Sequence, residues 1–218
     1  MHMRFKKWAR PELEACPYYL EHPETLPGKW DTVFPKKQPL HVELGCGKGV
    51  STAQMVFDNR DTNYVAVDIA TNVLGYTRRN IEQAYGDSPV DNVRIACFDV
   101  ANIGHFFAPE DNVERIIISF CNPWGEKKRH EKRRLTHPRM LLLYRDFLRD
   151  GGEIWFKTDD DGLFDDSVRY FQESGFTIRY LTRDLHADGF TPNYVSEHEA
   201  KFTQLGVPTK FLIAVKNP

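Results

Sequence analysis

The sequence predicts an α/β fold, a mostly parallel sheet with helices on both faces. Three observations predict it. Short apolar runs rich in β-branched residues recur along the chain, and stretches of helical periodicity separate them. The run Leu40-His41-Val42-Glu43-Leu44, too brief for a stable helix, ends in Gly45, Gly47 and Gly49, three glycines spaced two apart. That is a buried strand whose tip turns sharply toward a helix.

Residues 1–38 read as a separate N-terminal arm. Pro11, Pro17, Pro23, Pro27 and Pro35 argue against long regular structure, so an extended segment wrapped on the domain is expected. Arg4, Lys6, Lys7, Trp8 and Arg10 interleave charge and aromatic surface in a way that suits nucleic acid. Tyr18, Tyr19 and Trp30 are expected to dock on the domain instead, and Trp8 is open between the two uses. Residues 39–218 are expected to form one domain, since 218 residues suffice for one sizeable core and are short for two.

After the glycines a helix runs from Val50 to Phe57, and Asn63–Asp68 is a second strand ending in an acid. A helix over about 71–85 follows, closed by Gly86-Asp87-Ser88-Pro89. Val93–Cys97 and Val113–Phe120 are the third and fourth strands. Leu141–Leu148 is helical, Gly151-Gly152 turns the chain, and Glu153–Lys157 is a fifth strand. Thr158-Asp159-Asp160-Asp161 caps a helix to Ser174 with Leu163, Phe164, Val168 and Phe171 on one face. His186 to Asn193 reads as an irregular lid. Phe176–Leu181 and Lys210–Val215 complete the sheet, the late pair suggesting an antiparallel edge.

No apolar stretch reaches the length of a membrane span, and four scattered cysteines without metal-type spacing fit a reduced, cytoplasmic chain with no bound metal. The net charge of −2 does not itself advertise nucleic acid.

The crevice outside the carboxyl end of the first strand is where open α/β sheets bind nucleotides. The glycine spacing matches neither G-x-G-x-x-G nor a P-loop. Glu43, inside the strand, would repel a pyrophosphate and attract an ammonium. That sign of charge points to S-adenosylmethionine rather than NAD. Asp68, at the end of the second strand, is placed to accept from ribose hydroxyls, and Asp99 either accepts from an adenine amino group or merely caps a turn.

The second informative stretch leaves the carboxyl end of the fourth strand: Cys121-Asn122-Pro123-Trp124-Gly125-Glu126-Lys127-Lys128-Arg129-His130-Glu131-Lys132-Arg133-Arg134-Leu135-Thr136. An amide, a rigid turn and an indole precede six Lys/Arg residues within eight positions. Abutting the expected crevice, this run reads as a phosphate-contacting surface.

The combination of V-E-L-G-C-G-K-G, N-P-W-x-x-K-K-R-H-E-K-R-R-L-T, F-K-T-D and S-E-H-E-A-K-F-x-x-L-G resembles the bacterial tRNA (guanine-N7)-methyltransferases over nearly the whole chain. The resemblance implies a Rossmann-like class I methyltransferase fold of seven strands. It also implies transfer of a methyl group from S-adenosylmethionine to a guanine N7 in the tRNA variable loop. It places the cofactor on Glu43, Gly45, Gly47, Asp68, Asp99 and Asn122, and the catalytic positions at Asn122 and Asp159. Substrate contacts fall on Lys127, Asp159, Ser196, Glu197, His198 and Glu199, and the RNA backbone on Lys128, Arg129, His130, Lys132, Arg133 and Arg134.

The chain departs from the family pattern in three places. Asn122 stands where the family has Asp, Gly125-Glu126 replaces a proline with one residue more, and His198 replaces a tyrosine. Asn-Pro-aromatic also resembles amino-group methyltransferases, so methylation of an exocyclic amine is a rival reading. A small-molecule methyltransferase and a non-catalytic RNA-binding protein that keeps the fold are the others.

Overall fold

The computed structural model describes residues 5–125 and 127–218. Arg4 of the basic arm and Glu126 of the inserted pair lie outside the described residues. Eight strands form one sheet: β1 (Tyr19–Leu20), β2 (Leu40–Leu44), β3 (Asn63–Asp68), β4 (Val93–Cys97), β5 (Val113–Ser119), β6 (Leu148–Thr158), β7 (Phe176–Thr182) and β8 (Lys210–Lys216), in the order β1-β4-β3-β2-β5-β6-β8-β7. All pairings through β6 are parallel. The strand order reverses between β2 and β5, which sets the nucleotide crevice over their carboxyl ends.

Two expectations about the sheet are corrected. The antiparallel strand is β8, and it is not at the edge: it pairs with β6 on one side and β7 on the other. The eighth strand comes from the arm, where Tyr19 and Leu20 pair in parallel with Ile95 and Ala96 of β4. The arm is therefore not simply extended, because it also carries α1 (Ala9–Glu14). Proline at the third position of α1 lacks only an amide that a first turn leaves unpaired anyway.

The helices divide between the two faces. Val42, Leu44, Val65, Val67, Ile116, Ile118 and Phe156 project from one face into the larger core. Two helices cover it: α4 (Pro138–Phe147), through Met140, Leu141 and Tyr144, and α5 (Asp161–Glu173), through Leu163, Phe164 and Phe171. The other face packs Tyr64, Ala66, Ile95 and Ile117 against α2 (Val50–Asp58), α3 (Thr71–Tyr85) and Leu13 of α1. Pleat alternation puts Glu43, Arg115, Ser119, Glu153 and Lys157 on this second face, a polar band across the central strands.

Gly75 allows close approach of two helices. A Cβ on Gly75 would stand 2.8 Å from that of Ala9, so its absence lets α1 sit against α3. Glu12 pairs with Arg78 at 2.7 Å and Arg79 at 2.6 Å, Trp8 meets Tyr76 edge to face, and the Arg79 guanidinium covers its ring at 3.6 Å. Trp8 is thus docked on α3. Trp30 is fully buried, donates from Nε1 to the Phe106 carbonyl at 2.7 Å and stacks on Phe107.

β6 begins earlier than the glycine pair suggests. Val113 pairs with Leu148 and Arg115 with Glu153, so Arg149–Gly152 loops out between them, with Gly151 at φ +71°. After β7 the chain forms α6 (Leu185–Asp188), crosses the polar face, and forms α7 (Glu197–Gln204) before β8. None of the described helices is long and apolar enough to cross a membrane.

Candidate active site

The turn after β2 is built from backbone hydrogen bonds and one carboxylate. The Val67 carbonyl accepts from the amides of Gly45 (2.8 Å) and Cys46 (2.9 Å). Asp68 Oδ2 accepts from the Gly47 amide at 3.1 Å, and its Oδ1 from Ala70 at 3.0 Å. From α3, Thr77 Oγ1 donates to the Gly47 carbonyl at 2.7 Å. Gly45, Gly47 and Gly49 all have positive φ. At Gly49 the restriction is also steric, since a Cβ would fall 2.9 Å from the Thr77 Cα. At Gly45 and Gly47 the space where a Cβ would stand is open.

Above this turn lies a cleft of about 580 Å³, lined by the loop backbone, Glu43, Tyr76, Ser119, Phe120 and His198. Glu43 is 4 % exposed and accepts from Thr52 Oγ1 at 2.6 Å. Burial pushes its carboxyl up to about 7, with Thr52 and Lys157 opposing and Asp68 adding to the rise. Burial also raises Asp68. Ile69, next to Asp68, is 66 % exposed, an apolar side chain held out beside an acid. A concave site with a buried carboxylate at one end, bare glycine backbone along its floor and an acid at the end of the next strand suits a nucleoside with an ammonium group. Asp68 reaches it through the Gly47 amide. Asp99 stands apart, exposed, and caps a short 3-10 segment by accepting from the Ala101 amide at 2.9 Å.

The far wall comes from the ends of β5 and β6 and from α7. Phe120, at φ +53°, turns the chain out of β5. Asn122 Oδ1 then accepts from the Trp124 amide at 2.9 Å, fixing an Asx turn that holds Trp124 at φ +48°. The Arg133 guanidinium lies 5.0 Å from the Trp124 ring centroid. Lys128–Arg133 forms 3-10 turns, and Lys127, Lys128, Arg129, Lys132 and Arg133 are exposed, with His130 half-buried beside Trp124.

Arg134 is the exception within the basic run. It is 4 % exposed, donates from Nε to the Pro123 carbonyl at 2.7 Å, and pairs with Asp166 of α5 at 2.6 Å. Its expected contact with RNA is corrected: this guanidinium is an internal strut that ties the Asn-Pro-Trp turn to α5.

At the end of β6, Asp159 pairs with His198 Nε2 at 3.2 Å. The imidazole stacks on Phe202 one turn further along α7 (4.3 Å) and lies 4.7 Å from Phe120. Glu197 meets Lys48 of the glycine loop at 2.7 Å. Ser196 caps α7 by accepting from the Glu199 amide at 3.1 Å.

Glu199 requires a correction. It is wholly buried and faces inward, accepting from Asn193 Nδ2 at 2.8 Å and pairing with Lys157 Nζ at 3.2 Å and His186 Nε2 at 3.1 Å. A carboxylate so enclosed is not exposed to a substrate base and instead anchors the segment between α6 and α7. Sequence reasoning missed this anchor, and with it Lys157, Asn193, Thr52 and helix α7 itself. Ser196-x-x-Glu199 is the spacing of a capping box, and it was a readable signal for the start of α7. Lys157 gave none, because alternation alone does not distinguish a buried lysine from a solvated one.

Comparison with known proteins follows the same lines. A family model described as "putative methyltransferase" matches residues 37–212. The chain is 50 % identical over 218 residues to a tRNA (guanine-N(7)-)-methyltransferase of Clostridium botulinum (strain Eklund 17B / Type B), covering 99 % of each chain. It is 51 % identical over 219 residues to one of Clostridium perfringens (strain SM101 / Type A), covering 99 % of this chain and all of the relative. Among solved structures, it resembles an antibiotic-related methyltransferase with a TM-score of 0.59 and 16 % identity, covering 87 % of this chain and 93 % of the other. An antibiotic-resistance methyltransferase superposes with a TM-score of 0.52 at 16 % identity, covering 82 % and 87 %. These two share the fold.

Proposed function

The chain belongs to the bacterial tRNA (guanine-N7)-methyltransferases, S-adenosylmethionine-dependent enzymes that methylate N7 of a tRNA guanine, and we propose that its target lies in the variable loop. The observation that carries the reading is a single cleft lined by Glu43, the glycine turn and His198, whose imidazole pairs with Asp159, at the end of β5 from which the chain runs on into the basic stretch.

S-adenosylmethionine supplies an electrophilic methyl group on a sulfonium. Glu43 would hold the ammonium end, and the backbone from Gly45 to Gly47, with Asp68 behind it, would hold the nucleoside, while Asp99 stays outside the cleft as a cap. Guanine N7 offers a lone pair and carries no proton, so no general base is required. The side chains have two tasks: aligning N7 in line with the methyl carbon and tolerating the positive charge that moves onto the base. Asp159, held by His198, provides negative charge for the second task. Asn122 brings no charge, and its amide oxygen is already engaged with Trp124, so its part is to shape the turn that presents Trp124 to a base. Lys127 and the half of α7 that starts at Ser196, Glu197 and His198 border the substrate. Lys128, Arg129, His130, Lys132 and Arg133 follow the RNA backbone.

Residues 1–38 act as an accessory arm and 39–218 as the transferase domain, a division supported by the start of the family match at residue 37. A tRNA substrate and four cysteines free of disulfides support a cytoplasmic location. The test is transfer of labelled methyl from S-adenosylmethionine to unmodified bulk tRNA, followed by nucleoside analysis and mapping of the modified position. A 7-methylguanosine in the variable loop is the expected product. A methylated exocyclic amine, or label elsewhere in the tRNA, would overturn the assignment of atom or position.

A further inference from the structure

Behind Glu43, on the side away from the glycine turn, lies a second cavity of about 60 Å³. It is room for a few water molecules rather than for a ligand. Glu43, Ser51 and Ser119 line both this cavity and the cofactor cleft. Lys157 lines it from β6, and Asn59 and Tyr194 close it. Ser119 pairs with Lys157 across β5 and β6, while Glu43 pairs with Ile117. The small serine side chain leaves the polar band open between carboxylate and ammonium.

Lys157 is nearly buried, and three of its contacts lie in residues 193–199, which lead into and begin α7. Nζ donates to Asn193 Oδ1, to the Tyr194 carbonyl at 3.2 Å and to Glu199 Oε2 at 3.2 Å. Tyr194 Oη in turn accepts from Asn59, the residue that follows α2, at 2.8 Å. Burying an ammonium is costly unless its donors are matched. Here every match comes from the one segment that carries Glu197 and His198 to the cleft.

We propose that Lys157 is a positioning residue that couples the two halves of the active site: through the cavity behind Glu43 its charge supports the cofactor-side carboxylate, and its hydrogen bonds hold the substrate-side segment 193–199 in place. A single side chain thereby ties cofactor recognition to the seating of α7. Lys157 itself meets neither methyl nor guanine. Its Coulombic pull opposes the burial that raises Glu43, and Glu43 in turn helps Lys157 to keep its proton against burial.

The charged and titratable groups facing this pair are Asp68 and Tyr64 on β3, Cys46 in the loop, Arg115 on β5, and Tyr194, Glu199 and, behind Glu199, His186 in the crossing segment. Arg115 is held by Glu153 at 3.1 Å and lies 4.0 Å from the Trp155 ring centroid, so its charge is already matched.

The inference rests on Glu43 taking the cofactor, and the test separates the two. Dissociation constants for S-adenosylmethionine are measured by calorimetry from pH 5.5 to 8.5, with kcat and KM for tRNA alongside, for the wild type, Lys157→Met, Lys157→Arg, Glu199→Gln and Glu43→Gln. In Lys157→Met the pH at which cofactor affinity rises should move up by about one unit, with affinity at pH 7 falling roughly fivefold. Its KM for tRNA should rise as well, and Lys157→Arg should restore the pH profile. Glu199→Gln should raise KM for tRNA while leaving that profile in place.

A Lys157→Met protein that is less stable yet binds cofactor with the wild-type profile would overturn the coupling. So would the same profile shift in Glu199→Gln, which would mark general loosening. Should Lys157→Met fail to fold, Lys157→Gln, which keeps hydrogen-bond donors but not the charge, takes its place, with the same upward shift of the profile expected and an unshifted profile overturning the coupling. Unchanged cofactor affinity in Glu43→Gln would instead overturn the cofactor assignment on which the inference rests.

Discussion

Glu43 bears a conflict between stability and function. Its folded-state carboxyl titrates near 7, above the ordinary 4.5, so the folded protein holds that proton more tightly than the unfolded chain does. Its stability contribution is therefore full below about pH 4.5 and is lost as pH rises through 7, by an amount on the order of 3 kcal/mol. Cofactor binding runs the other way, since an ammonium requires the carboxylate. Glu43→Gln should melt higher than wild type at pH 8 without cofactor and lose the thermal shift that S-adenosylmethionine gives. A lower melting temperature would show that the carboxylate contributes to the fold. Asn122 is the opposite case, a residue whose charge state is fixed and whose contact is local. Asn122→Asp keeps the acceptor for the Trp124 amide and should retain activity. Asn122→Ala removes it and should lower kcat about tenfold with cofactor affinity unchanged. If the Asp variant were the inactive one, the amide hydrogens would be what the reaction needs.

At the scale of elements, the glycine turn couples two helices. Gly49 begins α2 at φ +72° with Thr77 of α3 against it, so Gly49→Ala both strains the backbone and pushes α3 away. Loss of measurable cofactor binding is expected, together with a lower melting temperature. Gly47→Ala faces open space and should show the strain without the displacement, so equal losses in both would contradict this account. Such elements were legible because their signals are local: strands β2 to β5 and helices α2, α3 and α5 follow from apolar periodicity, glycine and caps. What escaped was set by long-range pairing. Two residues of β1 carry no periodicity, and their strand character comes from Ile95 and Ala96 of β4. The position of β8 inside the sheet is likewise fixed by partners on both sides. In the site, Glu43 and the glycines that line the cleft could be read from sequence. The inward turn of Glu199 and Arg134 could not, because their partners Lys157 and Asp166 are distant along the chain.

Over the whole molecule, charge is distributed so that a chain of net charge −2 presents a basic rim. Binding of tRNA should therefore weaken steeply with salt, and removing one exposed cation should flatten that dependence. Arg133→Ala is expected to reduce the slope of log affinity against log salt by roughly one. Arg134→Met should leave the slope nearly intact and instead lower the melting temperature by a few degrees, since it removes an internal pair worth about 1–3 kcal/mol. A reversal of those two effects would make Arg134 the phosphate contact.

The placement of β1 has a bearing on how the molecule is made. The ribosome delivers Tyr19 and Leu20 long before the β4 residues against which they lie, so the earliest strand to emerge must wait for its seat. Until then the β4 border of the sheet is an open template for a neighbouring chain. Docking of the arm is what closes that border.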